Sequence, residues 1–67
     1  MDEKILQGRE VIIEFFPFGG IVKVSAMDVQ SLTEISIQGP VSAGEKILKR
    51  NAMKRLAYVL RKKGLIS

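Results

Sequence analysis

The pair Gly39-Pro40 divides this chain into two kinds of pattern. Upstream, Val, Ile, Phe and Thr alternate with polar residues at the period of two that a half-buried strand requires. Downstream, apolar residues recur at spacings of three and four, the period of an amphipathic helix. Proline cannot donate to a sheet ladder, so strand pairing is expected to stop at this pair. A chain of 67 residues buries only about 60% of the surface its unfolded form exposes, so both halves must share a single core. The expected fold class is α+β: a three-stranded antiparallel β-meander followed by one long C-terminal helix packed on one sheet face (βββα). Residues 9–67 form this domain and residues 1–8 an N-terminal extension.

The first predicted strand runs from Glu10 to Phe16, with Val11, Ile13 and Phe15 on one side and Glu10, Ile12, Glu14 and Phe16 on the other. Pro17-Phe18-Gly19-Gly20 supplies the reversal, and Ile21 to Met27 follows with Val22, Val24 and Ala26 facing opposite to Lys23 and Ser25. Asp28 to Leu32 turns the chain again, and Thr33 to Gln38 sets Ile35 and Ile37 against Glu34, Ser36 and Gln38. The helix is expected from Ala43 to Lys63. Ser42 and Glu45 have the spacing of a capping box at its start, and Gly64 and Leu65 stand where a Schellman motif needs them at its end. At that length the helix overhangs the sheet, carrying Arg61, Lys62 and Lys63 beyond it. Leu48, Ala52, Met53, Leu56, Val59 and Leu60 form its apolar stripe, with Lys49 and Lys63 snorkelling from the same arc. One sheet face is then left open, with Ile12 and Phe16 among Lys23, Ser25 and Glu34.

Composition removes most catalytic chemistry. The chain contains no Cys, no His and no Trp, so imidazole bases, thiolate nucleophiles and the usual zinc ligands are missing. No catalytic residue, metal site or cofactor is expected, and the reading is non-enzymatic. Glu10, Glu14 and Glu34 share the open sheet face, but a flat face offers no cleft, and a cross-strand ion pair with Lys23 is the ordinary explanation of their charge. Gly39 and Gly44 precede a helix as the glycines of a phosphate-binding loop do. The lysine comes one position late, however, and no Ser or Thr follows it, so helix capping is the better account. The N-terminus, Met1-Asp2-Glu3-Lys4, has acids where a secretory leader has positive charge, and no apolar run approaches a membrane span. The expectation is a cytoplasmic protein without a membrane partner.

Two surfaces remain as candidates for binding. Residues 1–40 hold three Lys/Arg against six Asp/Glu, whereas residues 41–67 hold eight against one, so the net charge of +4 belongs to the helix. Ile47, Lys54, Tyr58, Arg61 and Lys62 project from the side of the helix opposite the core stripe. An aromatic and an aliphatic in a basic field suit a nucleic-acid or partner surface, while a solvated face or a flank of the core explains the same residues blandly. On the open sheet face, Ile12, Phe16 and Lys23 form the candidate protein interface, for an unknown protein partner or a homodimer.

Glu10-Val11, Glu14-Phe15, the hairpin glycine, Val22-Lys23-Val24, Ala26, Asp28, Thr33-Glu34, Gly39-Pro40, Leu56 and Tyr58-Val59-Leu60 together resemble the pattern of a domain-of-unknown-function family of short bacterial proteins. The likeness runs from about residue 9 to residue 63, and Leu32 departs from it, standing where a small turn residue is expected. The resemblance implies a small standalone domain and brings no catalytic residue, cofactor or substrate. The expected function is that of a small binding module, for protein–protein interaction or self-association through the open sheet face, with nucleic-acid binding through the basic helix as the alternative.

Overall fold

A computed structural model of the chain describes Leu6 and residues 8–67. Strands β1 (Val11–Phe18), β2 (Ile21–Asp28) and β3 (Thr33–Pro40) form one antiparallel sheet in the order β1-β2-β3. A single 3-10 turn, Val41–Ala43, leads into the helix α1 (Glu45–Lys62), which packs over β3 and β2. The βββα architecture is therefore the one the change of period at Gly39-Pro40 implies.

The strands run further than the sequence suggested. Pro17 and Phe18 belong to β1, where Pro17 lies opposite Val22 and Phe18 opposite Ile21, so Gly19-Gly20 alone makes the reversal. Pro17 is tolerated because β1 is an edge strand. The register places Val11, Ile13 and Phe15 beside Asp28, Ala26 and Val24, and these beside Thr33, Ile35 and Ile37, on the face that meets the helix. Val22, Val24 and Ala26 of the central strand are buried outright, while the apolar residues of the two edge strands are partly covered.

Helix and sheet turn out to be matched in length. Eighteen helical residues at 1.5 Å each span about 27 Å, and an eight-residue strand at 3.3 Å each about 26 Å. The expected overhang is absent, and Lys63 reaches back to Thr33 at the start of β3, its Nζ donating to Oγ1 at 3.3 Å. At the other end the Leu48 side chain packs against Gly39, filling the space that a Cβ there would take, so a larger residue at this position would push the Leu48 methyl aside.

The capping box does not form. Ser42 lies inside the 3-10 turn, so Gly44 becomes the N-cap, with no side-chain cap bond. Gly44 has φ 84° and ψ 154°, a backbone region essentially reserved for glycine. The tight turn after Pro40 thus fixes the helix start more strongly than the serine does. The C-terminal motif forms as expected: Leu65 N–H donates to the Leu60 carbonyl at 2.9 Å and Gly64 N–H to that of Arg61 at 3.0 Å, the paired bonds of a Schellman ending. Leu48, Ala52, Met53, Leu56 and Leu60 are buried as read, but Ala57 is buried too and Val59 is only half-buried, so the helix is rotated slightly toward Ala57.

Leu6, with 2% of its surface exposed, joins the core cluster. It borders a groove of about 220 Å³ with Arg9, Val11, Ile13, Lys49 and Met53, beside the part of β1 that the helix leaves less covered. The rest of the expected N-terminal extension, residues 1–5 and 7, lies outside the described residues.

Candidate interaction surfaces

The open sheet face follows from the register. Ile12, Met27 and Glu34 form one cross-strand row, then Glu14, Ser25 and Ser36, then Phe16, Lys23 and Gln38, then Phe18, Ile21 and Pro40. Ile12, Phe16, Phe18 and Ile21 are 43%, 45%, 58% and 42% exposed, so the apolar side chains of this face stand in water. Ile12, Phe16 and Lys23 thus share the face as read. Phe18 was missed because the hairpin was drawn two residues too wide, and Ile21, although already placed in the second strand, was not singled out.

The expected ion pair of Lys23 gives way to another contact. Lys23 lies directly across from Phe16, and its ammonium sits 5.7 Å from the ring centroid. An exposed cation over an aromatic face is worth about 0.5–1 kcal/mol, comparable to a surface ion pair, and cross-strand adjacency decides between them. Glu14 and Glu34 lie in different rows. Among the described residues no three acidic side chains gather as a metal site would need. A shallow concavity of about 310 Å³ on this face is lined by Phe16, Lys23, Ser25, Glu34, Ile35 and Ser36.

On the helix, Ile47 and Tyr58 are 40% and 49% exposed, so both stand off the core. Lys54, Arg61 and Lys62 are exposed around them. Tyr58 is flanked along the helix by the Arg55 guanidinium, 5.4 Å from its ring centroid, and the Lys62 ammonium, 6.0 Å from it. Arg55 was not singled out in the sequence, although its position three residues before Tyr58 is a neighbouring one on a helix. Arg61 is turned toward the chain end, its Nε donating to the Ser67 carbonyl at 3.0 Å.

Sequence reasoning also passed over a buried polar cluster at the end of the sheet. The Asp28 carboxylate is fully buried and accepts Arg9 Nε on Oδ1 at 3.0 Å, Arg9 Nη2 on Oδ2 at 2.8 Å and Ser31 N–H on Oδ2 at 3.1 Å, with the Ser31 hydroxyl donating to Oδ2 as well. Ser31 has one hydroxyl proton, which goes to the carboxylate, so its 2.8 Å contact with Thr33 Oγ1 is closed by the Thr33 proton. The result is a chain running from the Lys63 ammonium through Thr33 and Ser31 to Asp28. The Arg9 hydrogen bonds hold the Asp28 carboxyl at about 2, below its ordinary 3.8; burial works against them and Ser31 assists. With the carboxylate's partners all in place, this cluster serves the fold: it ties the segment before β1, the β2–β3 turn and the end of α1 together. Spacing alone could not reveal a pair 19 residues apart.

Residues 8–63 match the family described as "Domain of unknown function (DUF6898)". The chain belongs to this family. The match covers β1, β2, β3 and α1, the whole architecture described above. No curated protein and no solved structure was found to match. Membership in DUF6898 therefore agrees with the fold and assigns no activity to either surface. In this DUF6898 chain, none of the described helices is long and apolar enough to cross a membrane.

Proposed function

We propose that this DUF6898 protein is a non-enzymatic binding module that associates with a second copy of itself through the open sheet face. The observation that carries the reading is the exposure of Ile12, Phe16, Phe18 and Ile21 on one side of a single-layer core. Together these side chains leave on the order of 400 Å² of apolar surface in water, most of it on the adjoining Phe16, Phe18 and Ile21, with Ile12 set apart by the Glu14–Ser25–Ser36 row. The same face carries Lys23 together with Glu14 and Glu34, so opposite charges are available to meet across a two-fold axis.

Pairing two such faces removes about 800 Å² of apolar surface from water, below the roughly 1,200–2,000 Å² of a stable specific interface, which corresponds to a weak and reversible dimer. Sedimentation velocity over a concentration series tests this. A monomer is expected at about 1 μM and a substantial dimer fraction at several hundred μM, as an interface of this size implies. Ile12→Lys abolishes the dimer while the monomer stays folded, because the side chain lies outside the core, and Phe16→Lys abolishes it at a cost of about 1 kcal/mol for the lost Lys23 contact and the like charges it sets side by side. A wild-type protein that stays monomeric throughout the series removes the reading.

A further inference from the structure

The opposite side of the molecule has a different chemistry. Lys46, Arg50, Lys54, Tyr58 and Lys62 recur every four residues, which places them on one continuous ridge of α1. All five are exposed. Among the described residues, no carboxylate lies within ion-pair distance of the ridge cations or of Arg55. The helix holds a single acid, Glu45, and the angular step of 100° per residue turns it toward the sheet side rather than the ridge. Of the other described acids, Glu14, Asp28 and Glu34 belong to the strands and Glu10 directly precedes β1, so positive charge is concentrated on a strip about 24 Å long, at 1.5 Å per residue.

Tyr58 interrupts this strip with an apolar plane. Its ring is half exposed, and the cations beside it, Arg55 and Lys62, are held over it by the weak attraction of an exposed cation for an aromatic face. A flat π-system that displaces one of these flexible side chains exchanges a weak contact for a stronger stacked one, and the released cation becomes available to a neighbouring anion.

We infer that this ridge binds single-stranded nucleic acid, with the phosphate backbone following Lys46, Arg50, Lys54 and Lys62 and an unpaired base stacked on Tyr58. A duplex offers phosphates but no free base face, and an acidic polypeptide offers charge without either. These two alternatives therefore separate the contribution of the tyrosine from charge alone.

The test uses the full chain and a fluorescently labelled 12-nucleotide RNA, read by anisotropy against the same sequence as a duplex and against labelled polyglutamate. Four phosphate contacts give a salt slope of about −2.8, so affinity for the single strand falls about 50-fold between 50 and 200 mM salt. The single strand binds at least about 10-fold more tightly than the duplex, and Tyr58→Ala removes about 10-fold at unchanged salt slope while Tyr58→Phe does not, as expected for a stacked base. Lys54→Glu lowers the slope. Both residues are exposed, so melting curves of the variants overlay that of the parent. No binding at 50 mM salt, equal affinity for polyglutamate, or a duplex bound as tightly with Tyr58→Ala silent would each overturn the inference. The Phe16→Lys variant, which lies on the opposite face, binds RNA as the parent does when both are monomeric.

Discussion

Arg9→Met isolates the buried charge of Asp28. The substitution keeps the aliphatic stem that lines the groove beside Val11 and Met53 and removes the guanidinium that binds both carboxylate oxygens. Leaving a fully buried carboxylate without its counter-charge costs about 3–5 kcal/mol. The two Ser31 hydrogen bonds remain, and the Arg9 side chain is itself 15% exposed, so we expect about 3 kcal/mol at pH 7. A domain of this size has a total stability of roughly 3–10 kcal/mol, so the variant is measured cold, by urea denaturation followed by circular dichroism.

The pH dependence separates this explanation from a simple packing defect. In the parent, Asp28 titrates near 2 when folded and near 3.8 when unfolded. A depressed folded pKa contributes stability that is fully present above the unfolded value and is lost as pH falls through the folded one. The loss here is about 2 kcal/mol between pH 5 and pH 2. In Arg9→Met, burial acts on Asp28 without the guanidinium and raises its pKa, so acid no longer costs stability at this site. The gap between the two proteins therefore narrows by about 2 kcal/mol or more on going from pH 7 to pH 2. The gap isolates Asp28, because every other carboxylate is common to both chains. Parallel stability curves, with the gap unchanged across that range, would refute the assignment of the stabilisation to the Arg9–Asp28 charge pair.

Two local predictions accompany it. Leu32 has φ 60° and is 72% exposed, so its side chain gains little from burial while its backbone occupies a region costing a non-glycine residue about 1–2 kcal/mol; Leu32→Asn raises the melting temperature by several degrees in a thermal scan, and an unchanged or lower value contradicts the strain. Ser42 makes no capping bond, so Ser42→Ala changes stability by less than about 0.5 kcal/mol in urea, whereas a functioning cap would cost about 1.

The parts of the fold that were legible in the sequence are those set by repeating chemistry. Val22, Val24 and Ala26 alternate cleanly on a central strand, and their burial follows from period alone. The Schellman ending follows from Gly64 and Leu65, because it depends on neighbours within a single turn. The helix start misled for the converse reason. Ser42 and Glu45 match a local motif, but the 3-10 turn after Pro40 is imposed by the way the chain leaves β3 to cross the sheet. The polar cluster was illegible for want of any local pattern: Arg9 and Asp28 meet only once β1 and β2 have paired, and Lys63 meets Thr33 only once α1 has packed. On the open sheet face, alternation places Ile12, Phe16 and Lys23 together but does not name their partners: Lys23, expected to pair with a carboxylate, lies directly across from Phe16 and sits over its ring.

The separation of the two surfaces constrains how copies of the molecule meet. The sheet face carries Glu14 and Glu34 with apolar residues, and the helix ridge carries cations with Ile47 and Tyr58, so a head-to-tail contact between unlike faces is electrostatically favourable. Such a contact is heterologous, and unless its rotation closes into a ring it propagates as an open filament. It would also bury the ridge in every copy but the last. A two-fold contact between sheet faces is closed, leaves both ridges facing solvent, and rests on apolar area that salt does not screen, whereas the head-to-tail contact weakens as ionic strength shortens the Debye length. The association proposed for the sheet and the recognition inferred for the helix are thus compatible only in the two-fold arrangement. There the two ridges face away from each other on the outer sides of the dimer, so short strands bind each ridge independently, and only a strand long enough to pass around the dimer gains from engaging both.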